Sequence, residues 1–247
     1  MIVSINQPAY LPWLGYFHRI AASDAHIVLD HVQFEKNSFT NRNKIRTKEG
    51  WQWLTVPIET KGRFGNLAIH NLAIDNHSRW PQKHWNAIRL NYARAPHFEE
   101  HALFFEQLYQ KSWARLADLV KEVTEYLLQA FAITTPLRFS SEMQAAGKKD
   151  ELVLNLCREA GATTYLSGPL GCDYLREELF RDAGIKVVYQ DYVHPQYAQV
   201  YPGFEPNMSA IDLLFNHGPR IREMLMSGNL SRREIAVVDV YVQAGSR

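Results

Sequence analysis

Cysteine is scarce in this 247-residue chain, with Cys157 and Cys172 the only two. Two thiols at that spacing make neither a disulfide framework nor a metal pattern. Cys157 lies in a helical run and reads as a buried thiol. An excess of charge is missing as well. The formal net charge is +1, so nothing advertises nucleic acid or an anionic membrane surface as a partner. No run reaches the roughly 18 apolar residues of a transmembrane helix, and membrane insertion is not expected. The residues after Met1 show no basic segment and no long apolar core ahead of a cleavage site, so no signal peptide is expected. The expected compartment is reduced and cytoplasmic, where the sequons at Asn207 and Asn229 have no meaning. There is no repeat, no low-complexity segment, no Ser-His-Asp order, no nucleophile elbow, no kinase motif set and no evident pair of glycosidase carboxylates.

What is present suits one large domain or a domain with an inserted lobe. Hydrophobic residues make up 46% of the chain, enough for a real core. Strands are expected at Ile2 to Ile5 and Ala25 to Leu29, the second an apolar run of the kind buried on both faces of a parallel sheet. A helix from Trp13 to Ala22 lies between them. Trp51 to Ile58 reads as a strand ending near Pro57, with Leu67 to Ile74 as its expected partner across a basic loop, Lys61 to Asn66. Three helices follow, at Ser78 to Tyr92, Phe98 to Tyr109 and Trp113 to Phe131, as a lobe between two α/β halves. The pattern then resumes with a strand before Phe139, a helix from Lys149 to Ala160, a strand at Thr163 to Leu166, a helix from Asp173 to Arg181 and a strand at Ile185 to Gln190. Ser209 is the expected N-cap of a short helix to Asn216. The tail holds a possible helix and a β-like run, Ile235 to Val242. Alternating strands and helices predict a mostly parallel, Rossmann-like α/β sheet with helices on both faces. The divisions are 1–76, 77–131 for the helical lobe and 132–247, within one unit.

Four polar clusters stand at expected strand ends. Gln7-Pro8-Ala9-Tyr10-Leu11-Pro12-Trp13 forms a stiff strand-to-helix elbow, where α/β sheets place ligands; it reads as a binding surface or a rigid packing corner. Asn41-Arg42-Asn43-Lys44 reads as an anion clamp or a solvated turn, since arginine grips phosphate and carboxylate with two prongs. Ser167-Gly168-Pro169-Leu170-Gly171 precedes an expected helix and reads as an amide cradle or an ordinary turn. His194-Pro195-Gln196-Tyr197, with Ser209 and Asp212 beyond, reads as a proton-transfer set or as structural packing. The Trp80, His84, Trp85, Ile88 and Tyr92 stripe has helical spacing and reads as core. His97-Phe98-Glu99-Glu100-His101 fits the H-x-x-E-H zinc spacing, but His97 follows Pro96 at a helix start, and no metal is expected.

These residues carry a resemblance. Gln7-Pro8 with Tyr10 to Phe17, Asp24, Leu29-Asp30, Asn41 to Ile45, Tyr165 to Gly168, His194-Pro195 with Tyr197 and Gln199, and Ser209 with Asp212 to Asn216 resemble the WbqC-like family over residues 2 to about 218. The resemblance implies a role in bacterial surface polysaccharide (O-antigen) biosynthesis, as a transferase placing glycine or another acyl group on a nucleotide-linked amino sugar. The alternative is a non-catalytic sugar-nucleotide-binding or accessory module. The elbow is also similar in outline to that of pantoate ligases and nucleotidylyltransferases, with Trp13-Leu14-Gly15-Tyr16 where those enzymes have a His-x-Gly-His signature. In the transferase reading Gln7, Tyr10 and Trp13 hold the sugar or base, and Arg42, Asn43 and Lys44 hold phosphates or a carboxylate. Ser167 and Gly168 offer amides, with Tyr197 and Ser209 as further contacts. His194 or Asp30 takes the proton and Asp212 orients it. The partner is a nucleotide-linked sugar or other small molecule, nucleic acid enters only as a charged transfer RNA donor, and no cofactor is specified.

Overall fold

The computed structural model describes residues 1–60 and 67–238. The first apolar run is strand β1 (Ile2–Asn6), followed by helix α1 (Leu14–Ala21) and strand β2 (Ala25–Val28). A hairpin of β3 (Arg42–Thr47) and β4 (Gly50–Thr55) leads to three helices, α2 (Trp80–Tyr92), α3 (Phe98–Gln110) and α4 (Leu116–Ala130). Strand β5 (Leu137–Phe139), helix α5 (Lys149–Glu159), strand β6 (Thr164–Ser167), helix α6 (Glu177–Asp182) and strand β7 (Lys186–Tyr189) complete the alternation. Three short helices close the described chain, α7 (Ile211–His217), α8 (Ile221–Met226) and α9 (Arg232–Val237).

The main sheet runs β5-β2-β1-β6-β7, and every pairing is parallel. Numbered among themselves, these strands take the order 3-2-1-4-5, the arrangement of dinucleotide-binding sheets. Its order reverses between β1 and β6. There α1 leaves β1 on one face while α6 leaves β6 on the other, so their connections part and leave a crevice at the strands' carboxyl ends. The packing records this. Val3, Ile5 and Tyr165 share an apolar cluster with Phe180 of α6 and with α5, whereas Ile2 and Leu166, one residue out of phase, pack with Ala22 and Ile235. Strands buried on both faces need side chains that are apolar in both registers.

The largest cluster joins Phe17 and Ile20 of α1 to the hairpin, to α2, α3 and α4, and to Leu213, Phe215 and Leu225 of α7 and α8. The expected lobe therefore shares one continuous core with the elements around it. Trp80, His84, Ile88 and Tyr92 of α2 are buried in it at helical spacing, with Trp85 half-buried. Pro81, in the first turn of α2, suits a position whose N–H has no intrahelical partner.

Several local expectations are corrected. Arg42 to Lys44 is neither a turn nor a clamp loop but the start of β3, and β3, not Leu67 to Ile74, is the partner of β4. The latter stretch makes a 3-10 turn at Ile69–Asn71 and meets other backbone through isolated bridges, such as Ile58 to Ile74, and single hydrogen bonds, without forming a ladder with β4. The helix expected from Asp173 starts at Glu177, because Pro169–Asp173 forms a tight 3-10 turn first. No helix therefore opens on Ser167 to Gly171. Ala210, not Ser209, holds the N-cap position of α7. Residues 235–237 are helical within α9, whose start is fixed by a Ser231–Glu234 capping box. The rest of the β-like run from residue 239, and the basic loop 61–66, lie outside the described residues. Among the described residues no helix is long and apolar enough to cross a membrane.

Candidate functional site at the carboxyl ends of the strands

Helix α1 is almost wholly apolar on its sheet-facing side, yet it carries Arg19, only 8% exposed. The Arg19 side chain reaches the crevice where strand order reverses. Nε donates to Gln190 Oε1 (2.9 Å), beyond β7, and Nη1 donates to Asn6 Oδ1 (2.5 Å), at the end of β1. Both acceptors are neutral amides. Among the described residues no carboxylate pairs with Arg19, although burial makes an uncompensated cation costly. Desolvation accordingly lowers its affinity for its proton, opposed by the neighbouring hydroxyls of Tyr165, Tyr16 and Tyr174. A guanidinium has five N–H donors, and among the described residues protein acceptors take two of them. Asn6 Nδ2 is also buried without a partner among the described residues. An anion is the ligand that such a cluster lacks.

Gln190 fixes this arrangement from behind. Its Nε2 donates to Gly15 O (2.9 Å) and to His18 Nδ1 (2.8 Å) while its Oε1 receives Arg19. His18 then donates from Nε2 to Leu230 O (3.1 Å), and burial brings its pKa down to about 4. The same face holds a second neutral imidazole. His26 Nδ1 meets Ser4 Oγ at 2.8 Å across the β1–β2 register, and burial lowers its pKa to about 3.

A second recess opens two strands away. Asp30 follows β2, and its carboxylate is clasped by Ser140 Oγ (2.9 Å), Ser141 N (2.8 Å) and Ser141 Oγ (2.7 Å), which follow β5. His70 donates from its backbone N to Asp30 O (2.8 Å). Asp30 thus lines a cleft of about 220 Å³ between the ends of β1, β2 and β5 and the flank of α4.

The expected site residues fall into separate groups. Gln7, Ser167 and Gly168 are at the crevice. Gln7 is half-buried and makes no hydrogen bond among the described residues. Ser167 turns inward, its Oγ donating to Gly168 O (3.1 Å). Asp30 is in the cleft. Tyr10 is fully buried and bonds His84 Nδ1 (2.8 Å) and the Tyr109 hydroxyl, so it braces the elbow against α2 and α3. The Trp13 ring lies over Gly15, where a Cβ would collide with it, and meets Tyr192 edge-on at 5.4 Å. Asn43 faces the core, donating to Leu11 O (2.6 Å).

Arg42 and Lys44 share the other face of β3. They sit over Trp53 (4.3 Å) and Trp51 (4.1 Å), respectively. Strand alternation makes that division, so a four-residue clamp could not form.

The C-terminal group is also bonded internally. His194 donates from Nδ1 to Pro195 O (2.9 Å) and accepts at Nε2 from Asn207 N (3.3 Å), which occupies both ring nitrogens. Asp212, fully buried, accepts from the Tyr92 hydroxyl (2.9 Å) and Gln199 Nε2 (2.8 Å). Burial raises its pKa. Tyr197 stacks on His194, and Ser209 N pairs with Lys44 O (2.9 Å). No hydrogen bond joins His194 to Asp212, or either of them to Asp30, among the described residues. In the zinc-spaced motif, His97 Nδ1 pairs with Glu100 (2.7 Å) and His101 Nδ1 with the Tyr126 hydroxyl (2.7 Å). Among the described residues no group of three or more His, Cys, Asp or Glu side chains could hold a metal ion.

Sequence reasoning missed Arg19. The available signal was a lone guanidinium on the apolar face of a helix that follows the first strand.

Comparison with known proteins agrees with the motif order. A family model described as the WbqC-like protein family matches residues 7–224. The chain is 38% identical over 225 residues, 90% of its length, to the uncharacterized protein Rv1507c of Mycobacterium tuberculosis, 96% of which is covered. No solved structure matches the chain significantly. The chain belongs to the WbqC-like family.

Proposed function

We propose that this WbqC-like family member is a transferase that binds a nucleotide-linked amino sugar at the β1–β6 crevice and acylates its amine, in the assembly of a bacterial surface polysaccharide. The observation that carries the reading is Arg19, a buried guanidinium with no carboxylate partner among the described residues, at the point where strand order reverses. A diphosphate is the anion that nucleotide-binding sheets hold at that point, and a guanidinium grips it with two prongs. Gln7, Ser167 and Gly168 border the same crevice.

In the chemical step the acceptor's ammonium first loses a proton, because only the neutral amine has a lone pair to give. That pair forms a C–N bond to the acyl carbonyl carbon, and the bond from that carbon to the donor's leaving group breaks. The nitrogen's second proton passes to the leaving group, so the products are an amide, the protonated leaving group and the one proton taken by the base. We assign that proton to Asp30, a carboxylate lining the neighbouring cleft at the strand ends. His194 has both nitrogens engaged and is assigned to positioning.

One observation favours a second reading, a non-catalytic sugar-nucleotide-binding module. Asp30 already accepts three hydrogen bonds from Ser140 and Ser141, as a structural clasp would. Mass spectrometry separates the two. Purified protein is given nucleotide-linked amino sugars with free glycine and ATP, charged glycyl-transfer RNA or an acyl thioester. A sugar that gains the acyl mass, with the gain lost in Asp30→Asn, supports transfer. Calorimetric binding of the sugar nucleotide with no mass gain moves the assignment to the binding module, and absence of both sinks the site.

A further inference from the structure

The β3–β4 hairpin has one face buried in the core and one that is not. Asn43, Ile45 and Leu54 point inward and are buried. The alternate residues, Arg42, Lys44, Trp51, Trp53 and Thr55, point the other way. Trp51 is 44% exposed, Trp53 is half-buried, and Phe39, in the turn before β3, is 50% exposed. The three rings form one row, with Phe39 5.8 Å from Trp53 and Trp53 5.9 Å from Trp51. Apolar side chains exposed singly are ordinary, but a contiguous row of large rings marks a surface that meets something.

The row is also basic. Between Arg42 and Thr55 the chain has four cations, Arg42, Lys44, Arg46 and Lys48, and one acid, Glu49, although the whole chain carries only +1. Arg46 is buried on backbone carbonyls. Arg42 and Lys44 have no carboxylate partner among the described residues. They lie over the indoles instead, the Arg42 Cζ 4.3 Å from the centre of Trp53 and the Lys44 Nζ 4.1 Å from that of Trp51. Charge complementarity calls for a partner that is both anionic and extended.

The arrangement of the rings selects among such partners. A single-stranded nucleic acid is held by bases stacked on open ring faces. Here each indole already carries a cation on one face, and the two indoles meet edge to face at 80°. That crowding suits a lipid surface. Indoles settle at headgroup level, and neighbouring cations meet the lipid phosphates. We infer that the Phe39, Trp53 and Trp51 face of the hairpin docks peripherally on an anionic lipid bilayer, with Arg42 and Lys44 turned to its phosphates. The hairpin is tied to the elbow after β1, since Tyr10 N donates to Phe39 O (3.0 Å) and Asn43 Nδ2 to Leu11 O (2.6 Å). Docking therefore holds the carboxyl ends of the main sheet near the lipid, whatever the crevice there binds.

Vesicle co-sedimentation of the full chain tests this. Vesicles of phosphatidylcholine mixed equally with phosphatidylglycerol should bind at least tenfold more tightly than phosphatidylcholine alone, and added salt should weaken the binding. Trp51→Ala combined with Phe39→Ala should cost at least tenfold, and Lys44→Gln should remove most of the preference for the anionic lipid. Arg158→Gln, which removes an exposed cation from α5, should change nothing. Thermal melts confirm that each variant is folded. Equal binding to both vesicle types, no binding to either, or binding that the hairpin variants leave intact overturns the inference. Labelled oligouridylate is titrated in parallel. Its capture without capture of anionic vesicles overturns the lipid assignment and makes the face a nucleic-acid surface.

Discussion

Nη1 of Arg19 stands 2.6 Å from the point that a Cβ on residue 168 would occupy. Gly168 has φ −71° and ψ 166°, an extended conformation open to any residue. The glycine is there for room, so that the loop after β6 can lie against a guanidinium from α1. Two segments nearly 150 residues apart in the chain thus close the crevice around one cation.

Gly168→Ala should therefore fold normally and still damage the site. With no backbone strain to charge against it, the only penalty is displacement of the Arg19 head. Sugar-nucleotide affinity measured by calorimetry should fall at least tenfold, with the melting temperature within a few degrees of wild type. Unchanged affinity would mean that Arg19 does not hold the ligand.

Arg19→Met should separate stability from binding. A buried cation without a carboxylate is a stability liability, and replacement of buried charge by an apolar side chain of similar volume is often neutral or stabilising by about 1–4 kcal/mol. Urea unfolding should show no loss, while phosphate-dependent binding is abolished. Arg19→Lys should not rescue it, because an ammonium lacks the planar fork. A variant that loses both stability and binding would mark Arg19 as a structural strut.

Asp212→Asn distinguishes a positioning role from a catalytic one. Asp212 accepts from Tyr92 on one oxygen and from Gln199 on the other, and an amide has only one acceptor to offer. The expected cost is about 1–3 kcal/mol of stability. Turnover per folded molecule should persist. A folded variant with no turnover would return Asp212 to the reacting centre.

Acid should begin to destabilise the fold as the pH falls below the 6.5 of a free imidazole. Burial lowers the pKa of His18 to about 4, of His26 to about 3 and of His84 to about 4, against 6.5 for the free side chain. As the pH falls through 6.5, the unfolded chain takes up protons that the folded chain refuses. The stability is whole above that pH and declines below it, by about 1.4 kcal/mol per pH unit for each histidine. The decline ends as the folded imidazoles themselves protonate, near pH 3 to 4. Asp150, held down to about 2 chiefly by its hydrogen bond from Arg176, acts in a separate window below 3.8. Urea titrations at pH 7, 6 and 5 check the slope, and a flat result would mean that these rings take up protons in the native protein as readily as in the unfolded chain.

Much of this fold is written in local pattern. The β1 and β2 runs, apolar in both registers, can be satisfied only inside a parallel sheet. Alternation with helices of the right length made the Rossmann-like class readable, and the helical spacing of Trp80, His84, Ile88 and Tyr92 marked a buried face. Where pattern and environment disagree, the reading failed. The start of strand β3 read as an anion clamp or a polar turn because Asn41, Arg42, Asn43 and Lys44 crowd polar side chains into four residues. Yet Arg42 and Lys44 cover the rings of Trp53 and Trp51, and Arg46 is buried on backbone carbonyls of Thr47, Gly50 and Pro202. A cation can take a strand position when long-range partners absorb its charge, and those partners do not show in a local window.

The site divides the same way. The sequence by itself determined that residues 2 to 30 make a strand, a stiff elbow, a helix and a second strand, because each depends on neighbours within a turn or two. It also determined the family through the order of its motifs. Only the tertiary structure decided that Arg19 of that helix would face Asn6, Gln190 and Gly168 with no acid among the described residues to meet it, and that Asp30 would share a cleft with Lys121 and Thr124. Those meetings depend on which strands lie side by side. That order comes from packing the whole core at once, in which contacts across more than 100 residues repay the loss of chain entropy.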